Sequence, residues 1–168
     1  MDVAEVLVEL YGRVPPLARQ AVDGLDLEQL NHLPAPGTNS IAWLIWHIAR
    51  VQDHHMSEMF DVDQIWVGGG WASRFGLEPD PSDIGYGHSA ADVAAVSPDE
   101  PTVLVAYLDA VFERTCQMIG EVTPGDLDRI VDHGWDPPVT MGVRLVSIAD
   151  DNLQHVGQAA YLRGLLEA

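Results

Sequence analysis

Apolar residues recur at intervals of three and four in four separate stretches of the chain: residues 3–22, 41–60, 103–119 and 143–167. This spacing places the apolar side chains of each stretch on one face of an α-helix. The alternation that half-buried strands require is not convincing anywhere. Because helices with one apolar face bury it against one another, the sequence predicts an all-α fold, a four-helix bundle formed by one domain over residues 1–168.

Proline and capping residues indicate where these helices break or begin. Prolines at positions 15 and 16 predict a kink within the first helix. Ser97, Pro98 and Glu100 together predict the start of the third helix, because serine can cap, proline suits the first helical position and glutamate can reach back. The last helix is expected to end near residue 167.

The second and third predicted helices are separated by residues 61–98, a loop-rich segment with many glycines and prolines. Within it, only residues 89–96 read as a short helix. This length permits a crossover between helices two and three, whereas shorter links predict that helices one and two, and three and four, are antiparallel neighbours. Long connections are more often functional than idle. A surface flap that covers the bundle end is the alternative.

The charge balance excludes several classes of partner. The chain has 26 acidic and eight basic residues, a net charge of −18, and all eight basic residues are scattered arginines because lysine is absent. Phosphate backbones and anionic membranes are bound by clustered positive charge, so we expect no nucleic acid and no membrane partner. The most apolar stretch, residues 41–48, is also too short to cross a bilayer.

One cysteine, Cys116, rules out a disulfide scaffold. It lies beside the apolar stripe of the third helix with no basic residue near it in sequence to lower its thiol pKa, so we interpret it as a core residue rather than a nucleophile. The chain begins with Met1 and Asp2, so acidic residues occupy the positions where an export signal carries positively charged ones. A reducing cytoplasm is the expected location.

Three residues form a candidate metal site. Asp151 and His155 are four residues apart in the last helix and therefore lie on one helix face, while His47 lies in the middle of the second helix. If these two helices are neighbours, two imidazoles and a carboxylate meet, a set that suits zinc, nickel or iron(II). The alternatives are a core histidine at position 47 and an ordinary Asp151–His155 intrahelical pair.

Other residues are candidates for a pocket around that site. His54 follows His47 by two helical turns, about 10.8 Å, which is too far for easy ligation of one ion but suits a pocket position. Trp43 and Trp71 are candidate apolar walls, although buried tryptophans are more often packing residues. Arg50 is a candidate carboxylate-binding residue, with a solvated surface role as the alternative.

Two segments carry a resemblance to a known family. They are residues 39–50, Asn-Ser-Ile-Ala-Trp-Leu-Ile-Trp-His-Ile-Ala-Arg, followed by Asp53, and residues 151–164, Asp-Asn-Leu-Gln-His-Val-Gly-Gln-Ala-Ala-Tyr-Leu-Arg-Gly. Together with Pro-Gly-x-Asn-Ser at 36–40, Gly-Gly-Trp at 69–71 and Pro-Val-Thr at 138–140, they resemble the signature regions of the DinB/YfiT-like superfamily. The resemblance covers essentially the whole chain.

The resemblance implies a four-helix bundle with a divalent metal at one end. Some relatives are bacillithiol or mycothiol S-transferases, and another is mycothiol-dependent maleylpyruvate isomerase. The family's histidine in the second helix corresponds to His47, and its His-x-x-x-His pair corresponds to Asp151 and His155, so this chain departs from the pattern at Asp151. Gln158, in the same motif, is a further candidate substrate-binding residue.

The leading hypothesis is a divalent-metal-dependent S-transferase that conjugates a low-molecular-weight thiol to electrophilic small molecules in detoxification. Mycothiol is the favoured thiol, because the absence of lysine indicates a high-G+C genome. A thiol-dependent isomerase on the same metal site and a non-catalytic metal- or ligand-binding bundle are the alternatives. Broad apolar helix faces also leave a homodimer open.

Overall fold

The computed structural model describes residues 1–166 and confirms the predicted all-α fold. The helices run in the order α1 (Val3–Tyr11), α2 (Val14–Val22), α3 (Leu27–Leu30), α4 (Ile41–Phe60), α5 (Ile65–Gly68), α6 (Trp71–Arg74), α7 (Ala90–Ala95), α8 (Pro101–Ile119) and α9 (Met141–Leu166). Between α8 and α9, a 3₁₀ turn (Asp126–Asp128) precedes two short antiparallel strands, β1 (Ile130–Asp132) and β2 (Val139–Thr140). The bundle is formed by α1 with α2, α4, α8 and α9. No helix in residues 1–166 is long and apolar enough to cross a membrane.

The order of helices around the bundle differs from the prediction. Helix α4 packs against α8 and α9, and α2 packs against the same two helices, while α2 and α4 touch only slightly. Successive long helices are therefore diagonal in two cases, α2 with α4 and α8 with α9. The prediction that these pairs are neighbours was wrong, because each link contains ordered structure of its own, α3 in one and the 3₁₀ turn with β1 and β2 in the other, and is long enough to join helices that are not adjacent.

Two helix boundaries also differ from the sequence interpretation. The first helix breaks at Gly12 and Arg13, and the two prolines lie in the first turn of α2, where a missing N–H costs nothing. Helix α8 begins at Pro101 after an N-cap residue, Glu100, that makes no side-chain cap. The earlier start at Ser97 was wrong, because a second proline suits the first helical position equally well. The expected end near residue 167 lies outside the described residues.

Helix α4 is the central element of the core. All residues from 41 to 53 are buried, which is unusual for a bundle helix because one face normally meets solvent. The segment between α4 and α8 covers that face, since Trp66, Phe75, Val93 and Val96 belong to the same apolar cluster as Trp46.

A buried ion pair fastens this covering segment to α4. The carboxylate of Asp53 accepts hydrogen bonds from the backbone N–H groups of Ile65 (3.2 Å) and Trp66 (2.9 Å). The guanidinium of Arg50 lies 3.6 Å from the same carboxylate and 4.8 Å from the Trp66 ring centroid. Arg50 also donates to the carbonyl oxygens of Asp83 and other loop residues. The pair therefore holds the start of the segment and its middle, residues 80–83, to one helix.

Candidate metal centre

Helices α4 and α9 run antiparallel and bring the three predicted ligand residues together. His47 faces His155, Gln52 hydrogen-bonds Asn152, and His55 lies beside Arg144, so positions rise along α4 as they fall along α9. The Nε2 atom of His47 lies 3.7 Å from Asp151 Oδ2, and the Nε2 atom of His155 lies 3.4 Å from Asp151 Oδ1. One ligand atom from each residue lies within 4.8 Å of the others.

Both imidazoles are held by their second ring nitrogen. The Nδ1 atom of His47 contacts the carbonyl oxygen of Ile84, and the Nδ1 atom of His155 lies 2.9 Å from the amide oxygen of Gln158. Because these oxygens can only accept, each Nδ1 carries a proton, and in the neutral imidazole Nε2 is then the nitrogen free to bind a cation beside Asp151. Metal-ligating histidines are typically fixed in this way.

The carboxylate of Asp151 is partly buried, and its Oδ2 atom is buried without a hydrogen-bond partner among the described residues. Burial alone would raise the pKa of Asp151, but the adjacent imidazoles of His155 and His47 outweigh it and hold that pKa well below its usual range. Burial likewise would lower the pKa of His155, and the carboxylate of Asp151 reverses the effect and raises it. The group therefore has an ionised carboxylate with one oxygen left for a cation.

The donor set fits a divalent transition metal. Two ligands bound at about 2.0–2.1 Å from one tetrahedral ion lie about 3.3 Å apart, close to the 3.4 Å and 3.7 Å separations between the imidazoles and the carboxylate. Two nitrogens and one oxygen suit zinc, nickel and iron(II), and three protein ligands leave coordination positions for other molecules.

Aromatic side chains form one wall of the group. The indole of Trp43 stacks on His47 with ring centroids 4.6 Å apart and meets His155 edge-on at 6.2 Å. Its Nε1 atom donates to His88 Nδ1 at 3.0 Å, and His88 Nε2 lies 2.8 Å from a carboxylate oxygen of Asp83. Trp43 is thereby fixed from both sides.

The loop that holds His47 depends on a glycine. Gly85 has a φ of 91°, in the left-handed region that favours glycine. A Cβ atom there would lie 2.9 Å from His47 Nδ1 and 2.8 Å from an indole carbon of Trp43. The absence of a side chain lets the backbone approach the imidazole closely.

A cavity of about 210 Å³ opens beside the group, and it is lined by His47, Val51, His55, Ile84, Tyr86, Arg144, Ser147, Ile148 and Asp151. His55 therefore reaches the cavity, whereas the sequence analysis favoured His54. The His54 ring instead contacts the Pro81 carbonyl oxygen and the Gln64 amide.

The remaining predicted substrate-binding residues divide into two sets. Trp43 and Gln158 contact the ligand group directly. Arg50 is fully buried with its donors turned to loop carbonyls, and Trp71 packs on Tyr107 and under Arg74, so neither lines the cavity. Sequence reasoning missed the Ile84 carbonyl, His88, His55 and Arg144. Two sequence signals could have indicated them: Gly85 and Gly87 next to His88, and Arg144 two helical turns before Asp151.

His54, His55 and Glu58 form a second group close enough to share an ion. Its surroundings are less favourable to a cation. Burial, followed by the Arg144 and His54 charges, lowers the pKa of His55 to about 4, and the guanidinium of Arg144 lies 3.4 Å from its Nδ1. Glu58 is exposed.

Comparison with known proteins shows the family of this chain. The DinB superfamily profile matches residues 10–159. A crystal structure of a conserved protein from Enterococcus faecalis is similar over 97% of this chain and 96% of that one, with 32% identity and a TM-score of 0.90. No curated protein matches the chain. The chain belongs to the DinB superfamily, as the signature segments predicted.

Proposed function

We propose that this protein is a divalent-metal-dependent S-transferase that joins a low-molecular-weight thiol to electrophilic small molecules. The observation that carries the proposal is the convergence of His47, Asp151 and His155 beside a cavity, with each Nε2 atom next to the Asp151 carboxylate and the Oδ2 atom of that carboxylate without a hydrogen-bond partner among the described residues. Zinc, nickel or iron(II) would be held by these three side chains. A bound divalent cation lowers the pKa of a coordinated thiol or water.

The chain's own residues supply positioning. The Ile84 carbonyl and the Gln158 amide fix the two imidazoles, and Trp43 covers one side of them. The open side faces the cavity, where a small electrophile could approach a sulfur atom. In the proposed reaction the thiol loses its proton, a carbon–sulfur bond forms, and the electrophile either releases its leaving group or takes up a proton.

The attacking thiol must come from outside the chain. Cys116 is the single cysteine, and it lies on α8 outside the cavity lining. Burial raises the pKa of its thiol, which keeps it protonated at neutral pH. Mycothiol is our proposed thiol, on the resemblance and the lysine-free composition.

Metal content tests the proposal first. Untagged wild type, His155→Ala and a control, His133→Ala, are incubated with zinc, nickel or iron(II), dialysed and measured by mass spectrometry. His133 is an exposed loop residue that follows β1. We expect about one ion per chain in wild type and His133→Ala and none in His155→Ala. Thiol conjugation is then assayed with mycothiol and 1-chloro-2,4-dinitrobenzene. A tightly held ion without thiol-dependent turnover over a broad electrophile panel would indicate a non-catalytic metal-binding bundle.

A further inference from the structure

The end of the cavity away from His47 and Asp151 carries a fixed positive charge. Arg144 lines the cavity, and its side chain is 18% exposed. It lies seven residues before Asp151 on α9, two helical turns away and on nearly the same face. The cavity therefore has the candidate metal ligands at one end and a guanidinium at the other.

The guanidinium of Arg144 is held in one orientation, but some of its N–H donors are left without an acceptor among the described residues. Its Nη2 atom donates to Asp132 Oδ2 at 2.6 Å, and its Nη1 atom lies 3.4 Å from His55 Nδ1. Since arginine has five N–H donors, three of them have no hydrogen-bond partner within residues 1–166. Asp132 belongs to β1 and holds the group from the side of the short hairpin. Such an arrangement leaves donors for a further acceptor in the cavity.

Arg144 is the residue that gives the cavity lining a positive charge. His55 is uncharged at neutral pH because burial and the adjacent Arg144 keep its pKa low. The other arginines are elsewhere: Arg50 is buried against the loop, and Arg13 and Arg19 form surface pairs. The net charge of −18 repels anionic molecules from most of the surface. The recessed guanidinium of Arg144 is therefore the feature of the cavity that would attract an anionic ligand.

We propose that Arg144 binds a carboxylate of the small molecule that occupies the cavity, about two helical turns from the sulfur or electrophilic centre at His47 and Asp151. This inference rests on the proposed function for the identity of the reacting centre. The carboxylate can belong to the thiol or to the electrophile. Arg144 is then a specificity-determining residue, and Asp132 is the positioning residue that orients it.

Binding of a matched pair of thiols tests the proposal for the thiol. The probes are 6-mercaptohexanoate and 6-mercaptohexanol, which share one six-carbon chain and differ in the carboxylate. Isothermal titration calorimetry is run on zinc-loaded and zinc-free protein. In wild type we expect the acid to bind about tenfold more tightly than the alcohol, because a charge-assisted hydrogen bond is formed. Arg144→Gln should remove this preference without changing the affinity for the alcohol.

Two further variants separate substrate binding from a structural role. Asp132→Asn removes the charge of the ion-pair partner but keeps the guanidinium and an amide oxygen that can still orient it, so this variant should keep most of the preference for the acid. Arg13→Gln removes a surface ion pair and is the matched control. Thermal unfolding of all variants shows whether each is folded. Equal loss of preference in Asp132→Asn and Arg144→Gln would overturn a direct role of the guanidinium in binding.

A matched pair of electrophiles tests the second source of the carboxylate. The probes are 4-chloro-3-nitrobenzoate and 4-chloro-3-nitrobenzamide, titrated in the same way. Preference for an acid in only one pair identifies which substrate carries the carboxylate. If folded Arg144→Gln binds both acids as wild type does, or wild type prefers neither acid with or without zinc, the inference is wrong. A protein that binds no zinc but keeps an Arg144-dependent preference would contradict the metal-dependent function alone.

Discussion

The orientation of His47 depends on a backbone position that carries no side chain. Both Gly85 and Gly87 have positive φ, at 91° and 76°, but only at Gly85 would a Cβ atom meet His47 and Trp43. Gly85→Ala should therefore combine backbone strain with a steric clash, lower the free energy of unfolding by about 1–3 kcal/mol and weaken metal binding. Gly87→Ala introduces the strain without the clash.

Urea unfolding and zinc titration of both glycine variants measure this difference. Gly87→Ala should lose about 1 kcal/mol of stability and keep its zinc affinity. Equal zinc affinity in wild type and Gly85→Ala would show that the Gly85 backbone does not position the imidazole.

A second residue-level prediction concerns acid stability. The folded pKa of His55, about 4, lies below its unfolded value of 6.5, because burial and the charges of Arg144 and His54 disfavour the cation. Between these pH values the unfolded chain binds more protons at this site, so its contribution to stability is present above pH 6.5 and is lost as the pH falls toward 4. The loss is at most about 3–4 kcal/mol.

The check is the difference in unfolding free energy between wild type and His55→Gln from pH 7.5 to pH 4. Wild type should lose more stability than the variant across this range, while His133→Gln should follow wild type. Parallel curves for wild type and His55→Gln would show that His55 titrates normally in the folded protein.

Residue spacing and motif together predicted which three residues come together as a candidate metal group, because helical geometry places Asp151 and His155 on one face. They could not predict that Arg50 is buried, because its burial depends on loop carbonyl oxygens about 30 residues away in sequence. Nor could they predict the Ile84 carbonyl, since a backbone oxygen has no signature in sequence. Local spacing fixes residues on one helix, whereas contacts between distant segments require the fold.

At the level of elements, the register of α4 against α9 decides whether the site forms. Asn152 Nδ2 donates to Gln52 Oε1 at 2.7 Å, and Gln52 Nε2 donates to Thr115 Oγ1 at 2.7 Å, all in the buried core. This chain of hydrogen bonds joins α9, α4 and α8 one turn from the ligand group. Asn152→Ala leaves the Gln52 acceptor buried and unpaired, so stability should fall by about 1–3 kcal/mol.

The denaturation midpoint of Asn152→Ala tests this role, with zinc affinity as a second readout. Gln154→Ala on the same helix is the control, because it removes an exposed hydrogen bond to Asp150 and should change stability by less than about 0.5 kcal/mol. A variant Asn152→Ala as stable as Gln154→Ala would mean that apolar packing alone sets the register.

Element boundaries followed the sequence where one local signal dominated. Ser40 caps the Trp43 N–H and α4 begins at Ile41, as its apolar period predicts. The start of α8 was ambiguous because Pro98 and Pro101 both suit a first turn. Helix neighbours were mispredicted because link length limits reach but does not choose between an adjacent and a diagonal partner. The homodimer stays a prediction that sedimentation can test.

For the whole molecule, metal binding should appear as added stability above a diffuse attraction of cations to the acidic surface. A ligand present at about 100 times its dissociation constant stabilises the folded state by about 2.7 kcal/mol. Wild type should gain this from zinc and lose it on chelation, and Asp151→His should keep the gain because imidazole is also a zinc ligand. Asp151→Ala and His155→Ala should lose most of it.

Magnesium at the same concentration separates the two effects. With a net charge of −18, any divalent cation reduces repulsion within the folded chain, so magnesium should raise the melting temperature of wild type and all variants equally. Zinc should add a further increase only where the ligand group is intact, because magnesium prefers oxygen ligands and two imidazoles do not suit it. If zinc stabilises wild type no more than magnesium does, surface charge alone explains the stabilisation. If zinc stabilises Asp151→Ala as much as wild type, Asp151 lies outside any metal site.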